Sequence, residues 1–137
     1  KGKVLIAEDD PDTNSLLTEL LIRKGFETVR ALNGYEALAA AYRERPDLIL
    51  LDLRMPGMDG YEALTRLKRD PATRDIPIIA ISAHSADVEM ERQRLQALGV
   101  REFLSKPFSF DLLLGEIERA LEDDKAEEKD GESRENN

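Results

Sequence analysis

The sequence predicts an α/β fold in which helices cover both faces of a parallel sheet. Strand and helix patterns alternate five times along the 137 residues, a length that favours one domain. Three of the strand patterns are short continuous apolar runs, at residues 4–7, 48–51 and 76–81. Such runs are typical of strands buried on both faces, and right-handed crossovers are expected to join them.

Cap and turn residues mark the first two strand–helix units. After strand 4–7, Asp10 before Pro11 predicts a helix N-cap followed by Pro at the first helical position. Gly25 ends this helix, whose apolar residues recur at helical spacing: Leu16, Leu17, Leu20 and Leu21. Residues 26–30 alternate and suit a strand nearer the edge, and residues 33–36 resemble a capping box that opens the second helix.

The third strand carries the residue on which the functional interpretation depends. Residues 48–51 run straight into Asp52, and the chain must then turn at residues 55–57 because Pro cannot continue the ladder. Asp52 is therefore expected at the carboxyl end of a central strand, the edge outside which open parallel sheets bind ligands. A carboxylate at that position is either a structural cap or a chemical group.

The second half of the chain repeats the pattern. Asp59 opens the third helix, strand 76–81 stops at Ser82, and Ser85 is a candidate cap for the fourth helix. That helix is only weakly amphipathic, with Val88, Leu95 and Leu98 as its apolar positions. Strand 102–105 precedes a strong fifth helix capped by Ser109, whose apolar face comprises Phe110, Leu113, Leu114, Ile117 and Leu121.

Composition limits the classes of function. The net charge is −9, and eight acidic against three basic residues follow position 121. The remaining body is also acidic, which argues against a nucleic-acid surface. The chain has no Cys, and we see neither a signal peptide nor an apolar run of the ~20 residues that span a bilayer. We expect a cytoplasmic protein with a folded domain at 1–122 and a disordered or frayed acidic tail or linker at 123–137.

Polar residues at four strand ends could converge: Glu8 and Asp9, Asp52, Ser82, and Lys106. Acids at the ends of adjacent strands repel one another, and a hard divalent cation such as Mg²⁺ would relieve that repulsion. Lys106 would supply a positive charge for an incoming anion and Ser82 a hydroxyl. Asp52 could then attack an electrophilic phosphorus, since carboxylates form aspartyl phosphates.

This ordered set resembles the receiver domain of two-component response regulators, from residue 3 to about residue 121. Its motifs are Glu8-Asp9, Asp52 followed by Met55-Pro56-Gly57, Ser82-Ala83, and Lys106-Pro107-Phe108. The resemblance implies a flavodoxin-like, doubly wound (βα)5 fold with the strand order 2-1-3-4-5. It implies a phosphoacceptor signalling domain rather than an enzyme, with self-phosphorylation and autodephosphorylation as its only activities.

The resemblance also implies roles for individual residues. Asp52 would accept the phosphoryl group, and Glu8, Asp9, Asp52 and the backbone carbonyl of Arg54 would bind Mg²⁺ or Mn²⁺. Lys106, Ser82 and Ala83 would bind the phosphoryl group, Ser82 and Phe103 would act as the switch, and the Lys106–Pro107 bond would be cis. Arg54 and His84, each two residues beyond a strand end, would modulate dephosphorylation.

The implied partners are a sensor histidine kinase or a histidine phosphotransfer protein, and a downstream target or the protein's own output domain. A homodimer through helix 4, strand 5 and helix 5 is a further expectation. Three alternatives stay open. One is an aspartate-nucleophile phosphatase of the haloacid dehalogenase type, a family that requires an acid at the position of Arg54. Another is a nucleotide-binding flavodoxin-like protein, which requires a Gly-rich phosphate loop that this sequence does not have after residues 5–7. The third is a degenerate receiver that no longer accepts phosphate.

Overall fold

Five parallel strands form one sheet, and five helices alternate with them along the chain. The computed structural model describes residues 1–83 and 86–135, with side chains through residue 126. The strands are β1 (Lys3–Ala7), β2 (Glu27–Ala31), β3 (Leu48–Asp52), β4 (Ile78–Ala83) and β5 (Glu102–Lys106). The helices are α1 (Pro11–Arg23), α2 (Gly34–Glu44), α3 (Gly60–Arg69), α4 (Val88–Ala97) and α5 (Phe110–Glu135). The strand order β2-β1-β3-β4-β5 confirms the predicted flavodoxin-like topology.

Two apolar cores lie on opposite faces of the sheet, as expected for a doubly wound fold. One contains buried residues of α2, α3 and α4, and the other contains buried residues of α1 and α5. Side chains of β3 alternate between them: Ile49 and Leu51 join the first core, and Leu48 and Leu50 join the second. Because β3 is covered on both faces, its continuous apolar run is explained.

Caps predicted from the sequence are present in α1, α2, α3 and α5. Asp10 accepts a hydrogen bond from the backbone N–H of Thr13, Asn33 from that of Glu36, and Asp59 from that of Glu62. Ser109 Oγ accepts one from the N–H of Leu112. These bonds satisfy N–H groups that the first helical turn otherwise leaves unpaired.

The structure corrects three local interpretations. Asp87 caps α4 by accepting from the N–H of Met90, while the proposed cap Ser85 lies outside the described residues. Leu16 is 55% exposed and Leu98 is 47% exposed, so neither belongs to the core. Leu98 follows the last turn of α4, where its backbone N–H closes the helix.

Helix α5 continues from Phe110 to Glu135, through the stretch for which the sequence predicts a disordered or frayed tail. An α-helix satisfies its backbone groups locally, so it can extend beyond the residues that pack on the sheet. The last buried residue in the described part of α5 is Ala120, and the exposed Asp123 pairs with Arg101. The division of the chain at residues 122 and 123 therefore stays a prediction.

None of the helices within the described part of the chain combines the length and the apolar composition that crossing a bilayer requires.

Candidate functional site

The sheet brings four of the sequence-predicted side chains together at the carboxyl ends of β1, β3 and β5. Glu8 and Asp9 follow β1, Asp52 ends β3, and Lys106 ends β5. In a parallel sheet all strands point the same way, so their last residues meet at one edge. The order of the strands places β1 next to β3, which makes the acids of those two strands neighbours.

Asp52 is held at two points. Its Oδ1 accepts a hydrogen bond of 2.8 Å from the backbone N–H of Arg54, and its Oδ2 lies 3.0 Å from Lys106 Nζ. Only 3% of Asp52 is exposed. The carboxylate is therefore held in a fixed orientation at the carboxyl edge of the sheet.

Lys106 bridges the two acids of neighbouring strands. Its Nζ lies 2.5 Å from Glu8 Oε1 as well as 3.0 Å from Asp52 Oδ2. Burial alone would lower the pKa of Lys106, but the hydrogen bonds and charges of Glu8 and Asp52 raise it overall. The ammonium group therefore stays charged and holds the two carboxylates in place.

Glu8 is fully buried, although it is an acid. Burial, the largest cause, and the neighbouring Asp52 raise the pKa of Glu8 to about 7, while the bond to Lys106 acts in the opposite direction. Its other oxygen, Oε2, accepts a long 3.3 Å bond from the N–H of Asp10. At neutral pH Glu8 is thus poised between its protonated and ionised forms.

Three carboxylates form a cluster with the geometry of a cation site. Glu8, Asp9 and Asp52 each offer one oxygen, and these atoms all lie within 4.8 Å of one another. Carboxylate oxygens are the hard donors that Mg²⁺ and Mn²⁺ prefer, and the single ammonium of Lys106 leaves the cluster negative. The donor set therefore fits a divalent cation. Asp10 lies outside this set because its side chain caps α1.

The hydroxyl of Ser82 lies on the strand next to Asp52, and its described hydrogen bond goes to its own strand rather than to Asp52. Ser82 pairs in register with Ser105 across β4 and β5, and its Oγ donates to the carbonyl of Ala83 at 3.2 Å. Ser82 and Ala83 line a cavity of about 240 Å³ together with Arg54, Tyr61 and Glu91. Phe103 borders the same cavity and is fully buried. This space connects the end of β4 with α4.

Helix α4 is joined to β5 by polar bonds as well as by a small apolar contact. Leu95 is its only buried residue in the described chain. Arg92 donates to Glu102 Oε1 at 2.8 Å and to the carbonyl of Phe103 at 3.1 Å, and it also pairs with Glu89. An element with so little apolar burial is expected to be among the less stable parts of the fold.

The remaining predicted residues are placed only in part. Arg54 is exposed at the rim of the cavity, and His84 lies outside the described residues. The Lys106–Pro107 peptide bond is cis, the isomer that the resemblance implies.

Sequence reasoning missed Asn14. This residue is fully buried in α1 and donates from Nδ2 to the carbonyl of Glu8 at 3.1 Å. A signal was present, because Asn14 occupies a helical position three before Leu17 and seven before Leu21, both of which are buried. A polar residue on the core-facing side of a helix requires specific partners.

Comparison with known proteins agrees with this geometry. A family model for the response regulator receiver domain matches residues 4–118. The chain is 34% identical over 120 residues to Protein PilH of Pseudomonas aeruginosa, covering 88% of this chain and 98% of that protein. It is 37% identical over 120 residues to the polar-differentiation response regulator DivK of Brucella anthropi, covering 88% of this chain and 96% of that protein.

A similar fold is found in the crystal structure of NtrX from Brucella abortus. The two superpose with a TM-score of 0.85 at 29% sequence identity, covering 96% of this chain and 29% of the NtrX chain. This chain thus spans nearly the full length of PilH and DivK but less than a third of NtrX.

Proposed function

Because the chain belongs to the response regulator receiver family, we propose that it is a phosphorylation-controlled switch whose phosphoacceptor is Asp52. The observation that carries the proposal is the position of Asp52. Its carboxylate is 3% exposed, lies 3.0 Å from the ammonium of Lys106 and belongs to the cluster of Glu8, Asp9 and Asp52. Receiver domains are signalling domains that interact with kinases or phosphotransfer proteins and with output domains.

The proposed reaction is transfer of a phosphoryl group from a phosphohistidine of the partner. One oxygen of Asp52 forms the new O–P bond while the N–P bond to the imidazole breaks, and the imidazole keeps the electron pair and takes up a proton. The bond from the Arg54 N–H orients the attacking carboxylate. Hydrolysis of the resulting acyl phosphate by water returns Asp52 and inorganic phosphate.

Lys106, together with the cation that the acid cluster would hold, would offset the negative charge on the phosphoryl group during transfer. Lys106 Nζ binds an oxygen of the transferring group, and it is already positioned by Glu8 and Asp52. Glu8, Asp9, Asp52 and the carbonyl of Arg54 would hold Mg²⁺ or Mn²⁺, with Glu8 acting mostly through water. When bound, the cation neutralises charge on the phosphoryl oxygens.

Phosphorylation of Asp52 would then change the conformation of β4, α4 and β5. The Ser82 hydroxyl and the Ala83 backbone turn from their present internal bond toward the phosphoryl oxygens, and Phe103 moves with them as the second part of the switch. The cavity of about 240 Å³ beside Ser82 supplies the space for this movement. The surface of α4, β5 and α5 is the proposed docking site for a target, an output domain or a second copy of the chain.

We further propose that the domain has no catalytic turnover beyond self-phosphorylation and autodephosphorylation, and that it acts in the cytoplasm. Arg54 stands where aspartate-nucleophile phosphatases require an acid, and it presents an exposed cation instead. A sensor histidine kinase or a histidine phosphotransfer protein is the proposed donor.

The experiment is incubation with acetyl phosphate and Mg²⁺, followed by intact-mass measurement. We expect one phosphoryl group per chain, which is released by hydroxylamine because it is an acyl phosphate, and no adduct in Asp52→Asn.

Asp59→Asn is the matched control, since Asp59 is an exposed carboxylate of the same β3–α3 connection that serves as a helix cap. Labelling of Asp59→Asn as in the wild type supports the assignment. An adduct that persists in Asp52→Asn, or no adduct in the wild type, contradicts it.

A further inference from the structure

Asn14 is a fully buried polar residue in α1, on the side of the helix that faces the sheet. Its nearest helical neighbours on that side, Leu17 and Leu21, belong to the apolar core. A buried amide is costly unless each of its polar atoms has a partner. The partners of Asn14 therefore indicate why it is there.

The two N–H groups of the Asn14 amide lie within hydrogen-bond distance of three backbone carbonyls, so at least one N–H is shared between two of them. The amide nitrogen lies 3.2 Å from the oxygen of Ile6, 3.1 Å from that of Glu8 and 3.1 Å from that of Ala31. Ile6 and Glu8 flank the last residue of β1, and Ala31 ends β2. The side chain thus joins the end of β1 and the beginning of the acidic loop to the neighbouring strand.

The orientation of this amide is determined by Arg30. Arg30 Nε donates to Asn14 Oδ1 at 2.9 Å, and its Nη2 donates to Ser15 Oγ at 2.8 Å. Since a guanidinium group has only donors, the oxygen of Asn14 must face Arg30 and the nitrogen must face the carbonyls. Thr18 Oγ1 donates to the same oxygen at 3.2 Å.

We propose that Asn14, oriented by Arg30, is a positioning residue for the cation site at Glu8 and Asp9. This inference rests on the proposed function, because it concerns the cation that the acid cluster would bind. The carbonyl of Glu8 belongs to the peptide unit that joins Glu8 to Asp9. Fixing that peptide plane fixes the direction from which both carboxylates approach Asp52.

Outer contacts of this kind tune a metal site without touching the metal. If Asn14 is replaced by an apolar residue, the carbonyls of Glu8 and Ala31 lose a donor. The peptide unit between Glu8 and Asp9 is then free to turn, and the three carboxylates no longer converge as one ligand set. The folded protein should then bind Mg²⁺ more weakly even where its sheet is intact.

The test measures the Mg²⁺ dissociation constant by isothermal titration calorimetry and the unfolding free energy by urea titration. For Asn14→Leu we expect affinity to fall about tenfold or more, the usual effect of losing an outer-shell partner. The matched control is Thr73→Val, because Thr73 is also buried and its Oγ1 donates to the carbonyl of Leu67 at 2.7 Å, far from the acids. It should lose stability while keeping its Mg²⁺ affinity.

Arg30 gives a second measurement that does not disturb the core, since Arg30 is exposed. Arg30→Met removes the donor that orients Asn14 and should weaken Mg²⁺ binding by about threefold, while Arg30→Lys keeps a donor and should retain most of the affinity. If Asn14→Leu does not fold, the Mg²⁺ affinities of Arg30→Met and Arg30→Lys test the positioning role in its place.

The possible failures are distinguishable. Wild-type affinity in folded Asn14→Leu, or in Arg30→Met where Asn14→Leu does not fold, overturns the positioning role alone. Equal loss of affinity in Thr73→Val overturns it as well, because the effect would then follow stability. A wild-type protein that does not bind Mg²⁺ overturns the proposed function itself.

Discussion

Lys106 Nζ lies 3.0 Å from Asp52 Oδ2, although 54 positions separate the two residues in the sequence. The same nitrogen contacts Glu8 Oε1, 98 positions away. One ammonium group therefore connects the ends of β1, β3 and β5. It is the positive centre that an anion approaching Asp52 would meet.

The first prediction concerns that ammonium group. Lys106→Met should slow phosphorylation of Asp52 by acetyl phosphate by about tenfold or more, because a charged donor aimed at the transferring group is lost. The rate of adduct formation, followed by intact mass at fixed Mg²⁺, measures the effect. Lys68→Met is the control, since Lys68 is also partly buried but donates to the carbonyl of Arg74. Equal rates in Lys106→Met and wild type would exclude a role for Lys106 in transfer.

The second prediction is a pH dependence due to Glu8, whose pKa is raised from 4.5 to about 7 by burial and by Asp52. An acid with a higher pKa in the folded state binds more protons there, so its contribution favours folding most below pH 4.5. That contribution is lost as the pH rises toward 7 and amounts to on the order of 3 kcal/mol.

Urea unfolding without Mg²⁺, repeated across this pH range, measures the dependence. Glu8→Gln cannot titrate, so the difference in stability between wild type and Glu8→Gln should change with pH in the stated direction. A difference that stays constant from pH 4.5 to 7 would show that the pKa of Glu8 is ordinary. Added Mg²⁺ should reduce the dependence, because the cation favours the ionised carboxylate.

The third prediction concerns the close approach of α3 to the end of β3. A Cβ at Gly60 would lie 2.3 Å from Leu53 Cα and 2.6 Å from the carbonyl oxygen of Asp52. Backbone atoms cannot yield as a flexible side chain can, so Gly60→Ala should destabilise the protein by about 3 kcal/mol or more. Urea unfolding provides the measurement.

Gly115→Ala is its counterpart, because nothing lies within 4 Å of a Cβ at Gly115 in α5. Replacing this helical glycine should stabilise the protein by about 0.5–1 kcal/mol. If Gly60→Ala and Gly115→Ala changed the unfolding free energy in the same direction, the proposed difference in packing at the two glycines would be wrong.

The fourth prediction concerns the domain boundary. A chain that ends at Glu122 should keep its fold and lose at most about 1 kcal/mol, since Ala120 is the last buried residue in the described part of α5 and the Arg101–Asp123 ion pair is exposed. Far-UV circular dichroism and urea unfolding of residues 1–122 test this. A larger loss would place the acidic segment inside the folded domain.

The fifth prediction concerns the lifetime of phosphorylated Asp52. Arg54 and His84 lie two residues beyond Asp52 and Ser82, where their side chains are expected to restrict or steer the attacking water. Arg54→Ala and His84→Ala should therefore change the half-life of the acyl phosphate, measured by loss of the adduct after the donor is removed. Unchanged decay in both variants would dismiss the idea.

Much of the fold could be predicted because its signals are local. Helix caps and apolar runs depend on only a few neighbouring residues, so they can be recognised in the sequence itself. Examples are the apolar run before Asp52 and the caps at Asp10, Asn33, Asp59 and Ser109. The weak amphipathicity of α4 was visible for the same reason. The sequence predicted less accurately which of two neighbouring apolar residues is buried, since Leu16 is exposed while Leu17 is buried.

By itself, the sequence determined the five βα units, the family and the set of polar residues at the strand ends. The tertiary structure decided which of those residues touch: Lys106 contacts Glu8 and Asp52, whereas Ser82 bonds to Ala83. It also places the Asn14 side chain against the carbonyls of Ile6 in β1, Ala31 in β2 and the loop residue Glu8. The physical reason is that hydrogen bonds between strand ends depend on register and distance in three dimensions, while caps and periodicity are properties of neighbouring residues.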